Sequence, residues 1–551
     1  MGVNTLSYYE YQLQLKELLE YGVRRAPEKE IIYRDQVKHT YEDLYERVQR
    51  YANALEDIGV ERGDTVAVLD WDSHRYLENY FAVPSMGCTL HMVNVRYSEK
   101  NLIYTMKHAE DDYVLVFDEF LPMMEEYADE LDSVKEYILL SDDEPPETEL
   151  TSLEYEDLLS SAFPNYAFPD LDEDTRATLF YTTGTTGKPK GVTFTHRKLV
   201  LHTLGILTMN TYFKPERRIS TDDVYMPLTP MFHVHAWGIP FLATLIGMKQ
   251  VYPGKYEGEM LMKLIREENV TLTHMVPTIL RRIVDGISKQ NILKRFLIRL
   301  LKPFSDLRVI IGGSRLPKGL AKEASEKLGI DVWGGYGLSE TCPVLTISQQ
   351  KEKMWDWSKD DTIEYDVKTG LPLPFVDLEI VNQEGNKLEH NGEEKGEIVV
   401  RSPWLTEEYY KNPEKSEELW RDDWLHTRDV AVIDEEGYVQ IIDRLGDLIK
   451  SGGEWIGSTD LENIISTHEA VKEVGVIGVP DEKWGERPMA FIVPQEGAEV
   501  TEEDIKEYMK EFVEKGEIAK YAIPDEVKFL DELPQTSVGK IDKKVLESEY
   551  T

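Results

Sequence analysis

The stretch "FYTTGTTGKPKGVTFTH", Phe180 to His196, sets Thr182, Thr183, Gly184, Thr185, Thr186, Gly187 and Lys190 between two segments rich in β-branched and aromatic residues. Glycines leave backbone amides open, threonines add hydroxyls, and Lys188 and Lys190 add positive charge, a combination suited to a polyphosphate. The common phosphate loop, G-x-x-x-x-G-K-[ST], opens a helix. Here Gly187-Lys188 is followed by Pro189 and by "GVTFTH", which reads as a strand, so that motif is excluded. Taken alone, the loop reads sooner as a mobile surface hairpin, since isolated motif matches are weak. Further stretches give it company: a glycine turn with an aromatic and a carboxylate in "GGYGLSET", an aspartate in "TRDVAVID", and a lysine after a glycine in "PQTSVGK".

These residues need elements to hold them. Tyr41, Leu44, Val48, Tyr51, Leu55 and Ile58 recur at helical spacing, and "GDTVAVLD" follows as a short apolar run suited to a buried strand. The alternation returns in "YVLVF", "EYILL", "VTLTHMVP" and "LRVIIGGS", with "GEMLMKLIREENV" and "KGLAKEASEKLG" as helices between them, which predicts an α/β fold with largely parallel sheets. After about Asp366 the pattern changes to short strands and turns, and past "DRLGD" it changes again to a small α+β unit. The 551 residues call for more than one domain.

Composition removes several function classes. A formal charge of -41 argues against nucleic acid as a partner, since phosphate backbones are held by clustered Lys and Arg. Cys88 and Cys342 stand far apart, so neither a disulfide framework nor a Cys-type zinc site is expected, and a reducing cytoplasm fits. Neither a secretory signal nor a myristoylation pattern is read at the N-terminus. Val224 to Met248 lacks Asp, Glu, Lys and Arg, but Pro227, Pro230, Pro240, His233 and His235 break it as a membrane span. It reads instead as the wall of a buried apolar site.

"YTTGTTGKPKG" resembles the phosphate loop of adenylate-forming enzymes, the superfamily of acyl-CoA synthetases, peptide-synthetase adenylation domains and firefly luciferases. "PMFHVHAWGIPF", "GGYGLSET", "WLHTRDVAVID", "DRLGDLIKSGGEW" and "LPQTSVGK" follow in the family's order over nearly the whole chain. The sequence is most similar to medium- and long-chain fatty-acyl-CoA synthetases. The resemblance implies a large N-terminal domain, 1–444, of two α/β sheet subdomains and a small β-rich subdomain, then a small mobile α+β lid, 445–551, carrying Lys540.

The chemistry would be the activation of a carboxylate as a mixed anhydride with AMP, pyrophosphate leaving. Attack of one anion on another needs positioned cations, a metal and amides. Tyr336 can lie against an adenine while Glu340 reaches a Mg²⁺ ion, and Asp429 can accept from both ribose hydroxyls. By resemblance, Thr182 also faces the metal, and Gly313, Gly334, Gly335 and Ser339 line the nucleotide or acyl site. Arg444 supports ribose and phosphates, and Lys540 bridges the substrate carboxylate and the α-phosphate. His233 walls the active site, Val234 touches the nucleotide, and Trp237 gates an acyl tunnel. Lys450, Gly453 and Trp455 belong to the lid face presented for the second step, in which coenzyme A is the thiol. Lys543 and Lys544 are expected to be solvated.

Two positions depart from the family pattern: Arg428 stands where "TGD" has glycine, and Gly446 where the hinge usually carries Lys or Asp. The leading expectation is an ATP-dependent acyl-CoA synthetase for a medium- to long-chain acid, cytoplasmic, with peripheral membrane contact and a homodimer both open. Transfer to a carrier-protein thiol or an amine, a short thioether or aryl acid as substrate, and a non-catalytic nucleotide- or acyl-binding protein are the alternatives.

Overall fold

The computed structural model describes residues 9–550 except 183–187, 289–303, 452–453, 469, 482, 496, 516–517 and 537–539. The predicted helix runs from Tyr41 to Asp57. The Thr40 hydroxyl and Asp43 form a reciprocal capping box at its start, and Tyr41, Leu44, Val48, Tyr51 and Leu55 are buried along one stripe. "TVAVL" forms the strand Thr65–Leu69, buried at every position. A strand so apolar on both faces requires helices on both sides, as a parallel sheet provides.

Two large sheets result. In the seven-stranded sheet, Glu136–Leu140, Tyr113–Phe117, Thr65–Leu69, Thr89–Met92 and Arg176–Thr182 run parallel. Lys190–Thr195 returns antiparallel on the last of these, with Thr182 opposite Lys190. The segment after the Thr/Gly loop is therefore a strand. In the nine-stranded sheet the central run Lys249–Tyr252, Val224–Pro227, Leu272–Met275, Arg308–Ile311 and Asp331–Gly337 is parallel.

A third sheet, Asp377–Val381, Gly396–Arg401, Trp424–Ile433 and Trp420–Arg421, also carries Val439–Arg444. A fourth begins at Ile449–Ser451 and adds Glu454–Ile456, Gly485–Pro494, Val471–Asp481 and Glu526–Phe529 around its own buried cluster. Residues 445–448 thus connect two sheets. No described helix is long and apolar enough to cross a membrane.

Candidate active site

The site gathers where the parallel strands of the large sheets end, the place an open α/β sheet leaves for ligands. Leu228 follows the strand Val224–Pro227, Val276 follows Leu272–Met275, and Gly313 follows Arg308–Ile311. These residues, with His233 and Trp237, line a pocket into which Lys540 projects from the C-terminal unit. Gly313 has φ 78°, and a Cβ there would lie 3.1 Å from Val276 Cγ1 and 3.2 Å from Lys540 Cε. Glycine permits both the left-handed backbone and the approach of the lysine. Thr536 holds Lys540 from both sides: its amide donates to the Lys540 carbonyl (2.7 Å), and its hydroxyl accepts from the Lys540 amide (3.2 Å).

Burial lowers the Lys540 pKa to about 8; Arg444 adds to the shift, while Asp429 and Glu340 oppose it. Burial likewise pushes His233 down to about 3, aided by Lys540 and Arg96, so its imidazole is neutral. The gate segment is a run of left-handed residues, with φ 41° at Val234, 60° at His235, 46° at Ala236, 60° at Trp237 and 75° at Gly238. For residues with a Cβ this costs about 1–2 kcal/mol each, strain that neighbours must hold. His235 pairs with the Thr178 hydroxyl at 2.8 Å. The Met231 amide donates to Asp72 Oδ1 at 2.7 Å, and its carbonyl accepts from the Tyr80 hydroxyl at 2.5 Å. Trp237 lies 4.8 Å from the His274 ring and covers Gly312, where a Cβ would meet its Cη2 at 2.9 Å.

Asp429 stands directly opposite Arg444 in the third sheet. Arg444 Nε donates to Asp429 Oδ1 at 3.0 Å and the Tyr336 hydroxyl to Oδ2 at 2.7 Å. Asp429 raises the Arg444 pKa further above its ordinary value. Nearby, the Tyr409 hydroxyl donates to Glu340 Oε1 at 2.7 Å, and Lys190 Nζ sits 3.9 Å over the Tyr409 ring. Burial lowers the Lys190 pKa against the pull of Glu340. Ser339 and Glu340 occupy a short 3-10 turn, whose Glu340 carbonyl accepts from the Thr406 amide at 2.9 Å.

Other predicted residues stand differently. Gly334 is buried, and a Cβ there would strike the Lys368 carbonyl at 2.4 Å; beside Gly335 the Thr346 carbonyl would lie at 3.4 Å. Val234 is buried under the gate. Lys450 and Trp455 stand exposed on a hairpin, Nζ 5.4 Å from the indole, outside the Lys540 pocket. Thr183, Gly184, Thr185, Thr186, Gly187 and Gly453 lie outside the described residues. Lys543 is not the solvated lysine expected. Its side chain is 15% exposed and 2.8 Å from Glu462. Burial works against its charge, but Glu462 and Asp443 outweigh it and raise its pKa.

Arg428, in place of the expected glycine, keeps a glycine-like φ of 61°. Its amide donates to Glu397 (3.1 Å), and its carbonyl accepts from Leu445 at the connection to the fourth sheet (2.9 Å). Asp72, Arg96, Thr229 and Tyr409 went unpredicted. No spacing marks them, because they reach the site from separate strands and loops.

Comparison with known proteins identifies the family. The AMP-binding enzyme family matches residues 19–410, and the AMP-binding enzyme C-terminal domain matches residues 460–540. The chain belongs to this family of adenylate-forming enzymes. It is 39% identical to a long-chain-fatty-acid–CoA ligase of Thermus thermophilus over 98% of this chain and 96% of that one. It is 34% identical to a medium-chain-fatty-acid–CoA ligase of Ectopseudomonas oleovorans, at the same coverages. Among solved structures, ATP-bound MatB from Rhodopseudomonas palustris superposes with a TM-score of 0.80 at 25% identity, covering 97% of this chain and 99% of that one.

Proposed function

We propose that the chain is an ATP-dependent, AMP-forming acyl-CoA ligase acting on an apolar acid of medium to long chain. The observation that carries this reading is Lys540: a lysine from the C-terminal unit enters a pocket whose walls include the apolar Leu228, Val276, Ile279 and Trp237 beside His233, Thr229 and Arg96. An ammonium so enclosed can neutralise charge between a carboxylate and the phosphate it attacks. The apolar walls suit a hydrocarbon chain, in keeping with the fatty acids named for the two relatives.

In the first half-reaction a carboxylate oxygen attacks the α-phosphorus of ATP, the new P–O bond forms, and pyrophosphate leaves. Lys540 lies across the two anions, and neutral His233 walls the carboxylate without competing for its charge. Asp429, already held by Arg444 and Tyr336, turns its carboxylate to the ribose, and the Tyr336 ring faces the base. The donors present suit a magnesium ion. Glu340 would supply one hard carboxylate and Thr182 one hydroxyl, the small protein share of ligands typical of Mg²⁺ beside phosphates. Among the described residues no group of three or more His, Cys, Asp or Glu could hold a metal by itself. The ion, when bound, neutralises phosphate charge.

In the second half-reaction the thiol of coenzyme A attacks the acyl carbonyl and AMP leaves. The exposed Lys450 and Trp455 are then brought to the site by rotation of the lid, 445–551, against the domain 1–444. The connection after Arg444 is the natural hinge, since the sheets change there. The test is to supply Mg-ATP with straight-chain acids from butyrate to stearate, and to measure pyrophosphate with and without coenzyme A. Pyrophosphate and thioester both forming supports the reading. An adenylate that coenzyme A does not discharge points to another acceptor, and no pyrophosphate with any acid refutes it.

A further inference from the structure

Arg96 brings a second cation to the Lys540 pocket. It lies beyond the end of the strand Thr89–Met92, half-buried, and lines the same cavity as Lys540 and His233. Its guanidinium sits 5.8, 5.9 and 5.2 Å from the ring centroids of Trp71, Phe232 and Tyr256. Aromatic faces hold a cation in place without occupying its N–H groups. Asp72, the carboxylate that feels this charge, is already engaged: Oδ1 accepts from the Met231 amide at 2.7 Å, and Oδ2 from the Tyr256 hydroxyl at 2.6 Å. Among the described residues the Arg96 guanidinium has no hydrogen-bonded or ion-paired acceptor.

The same cavity is lined by Thr229, only 3% exposed, whose hydroxyl finds no hydrogen-bond partner among the described residues. A buried hydroxyl left unpaired is costly unless a ligand supplies the acceptor, and the half-buried guanidinium beside it keeps its donors open to the same ligand. Of the remaining walls, Leu228, Pro230, Val276, Ile279, Gly313 and Trp237 offer no side-chain acceptor, and neutral His233 offers a single ring nitrogen.

We infer that Arg96 and Thr229 form a second recognition point in the acid pocket, selecting acids whose chain carries an oxygen acceptor, a hydroxyl or a carbonyl, besides the reacting carboxylate. This rests on the reading of the cavity as the acid site. The acceptor takes hydrogen bonds from the guanidinium and the threonine, while the carboxylate meets Lys540. Such an acid gains hydrogen bonds that a plain fatty acid of equal length cannot make, and the plain acid leaves both donors unpaired.

The experiment compares kcat/KM of the full chain for octanoate and for octanoates bearing one hydroxyl or oxo group at successive carbons, in the wild type, Arg96→Met and Thr229→Val. At least one oxygenated acid is expected to exceed octanoate by about tenfold in the wild type, and each variant to lower that ratio by about tenfold. Equal losses for plain and oxygenated acids, unchanged ratios, or a loss confined to the KM for ATP would overturn the inference. Thermal unfolding checks each variant; if Arg96→Met does not fold, the nearly isosteric Thr229→Val decides. No pyrophosphate with any acid would instead refute the acid-site reading itself.

Discussion

Lys540 packs its Cε atom against the open face of Gly313, where a methyl group would lie 3.2 Å from Cε and 3.9 Å from Nζ. The glycine has φ 78°, so any side chain there carries about 1–2 kcal/mol of backbone strain as well as the contact. Gly313→Ala is expected to slow acyl-adenylate formation about tenfold or more, while thioester formation from supplied adenylate changes less. Single-turnover measurements of the two steps separate these outcomes; equal slowing would place the effect in acid binding.

The pH profile follows from the same amine. Burial brings the Lys540 pKa down to about 8, and only the protonated form neutralises charge. Below that value kcat/KM for adenylation should be level in this group, and above it should fall about tenfold per pH unit. Phosphates bound beside the amine favour its charged form, so the break in kcat is expected at higher pH than that in kcat/KM. Lys540→Met must abolish the break; a break that survives belongs to another group.

Arg428 holds a left-handed backbone that glycine would adopt without strain, and its charge is felt by Lys190 and Tyr409 at the phosphate end of the site. Arg428→Gly should therefore raise thermal stability by about 1 kcal/mol and raise the KM for ATP. Gly446 is the converse, since a Cβ there meets nothing within 4 Å. Gly446→Lys should fold normally and lower the KM for ATP. Steady-state kinetics with calorimetry tests both, and an unchanged KM in each would remove these positions from nucleotide binding.

Arg315 joins Asp460 of the C-terminal unit at 2.6 Å. This bridge belongs to the pose that inserts Lys540, and both side chains are partly exposed. A pair of this kind is worth about 1 kcal/mol or less. Arg315→Ala should slow adenylation up to about fivefold and spare thioester formation, with Arg315→Asp combined with Asp460→Arg restoring part of the rate. Slowing of both steps alike, without rescue, would make the contact merely structural.

The sequence carried the elements of this site better than its enclosure. Two strands flanking the Thr/Gly loop could be read because β-branched residues crowd both sides of it. The Asp429–Arg444 pair shows why motif order is informative: the two residues face each other in register across one hairpin of the third sheet. Lys543 shows the limit. Three residues beyond Lys540 and beside Lys544, it reads as solvated, yet tertiary packing brings Glu462 and Asp443 around it. The supports at Asp72, Tyr80 and Tyr409 were invisible for the same reason, since each meets its partner only after distant strands have been assembled.

The central claim is that the Lys540 ammonium drives the attack of the carboxylate on ATP. Single-turnover formation of acyl-adenylate by wild type and Lys540→Met, with octanoate and Mg-ATP, tests it most directly. A loss of about a hundredfold or more is predicted in that step, with conversion of supplied octanoyl-adenylate and coenzyme A to thioester kept within a few-fold. Adenylate formation at the wild-type rate in Lys540→Met would contradict the account.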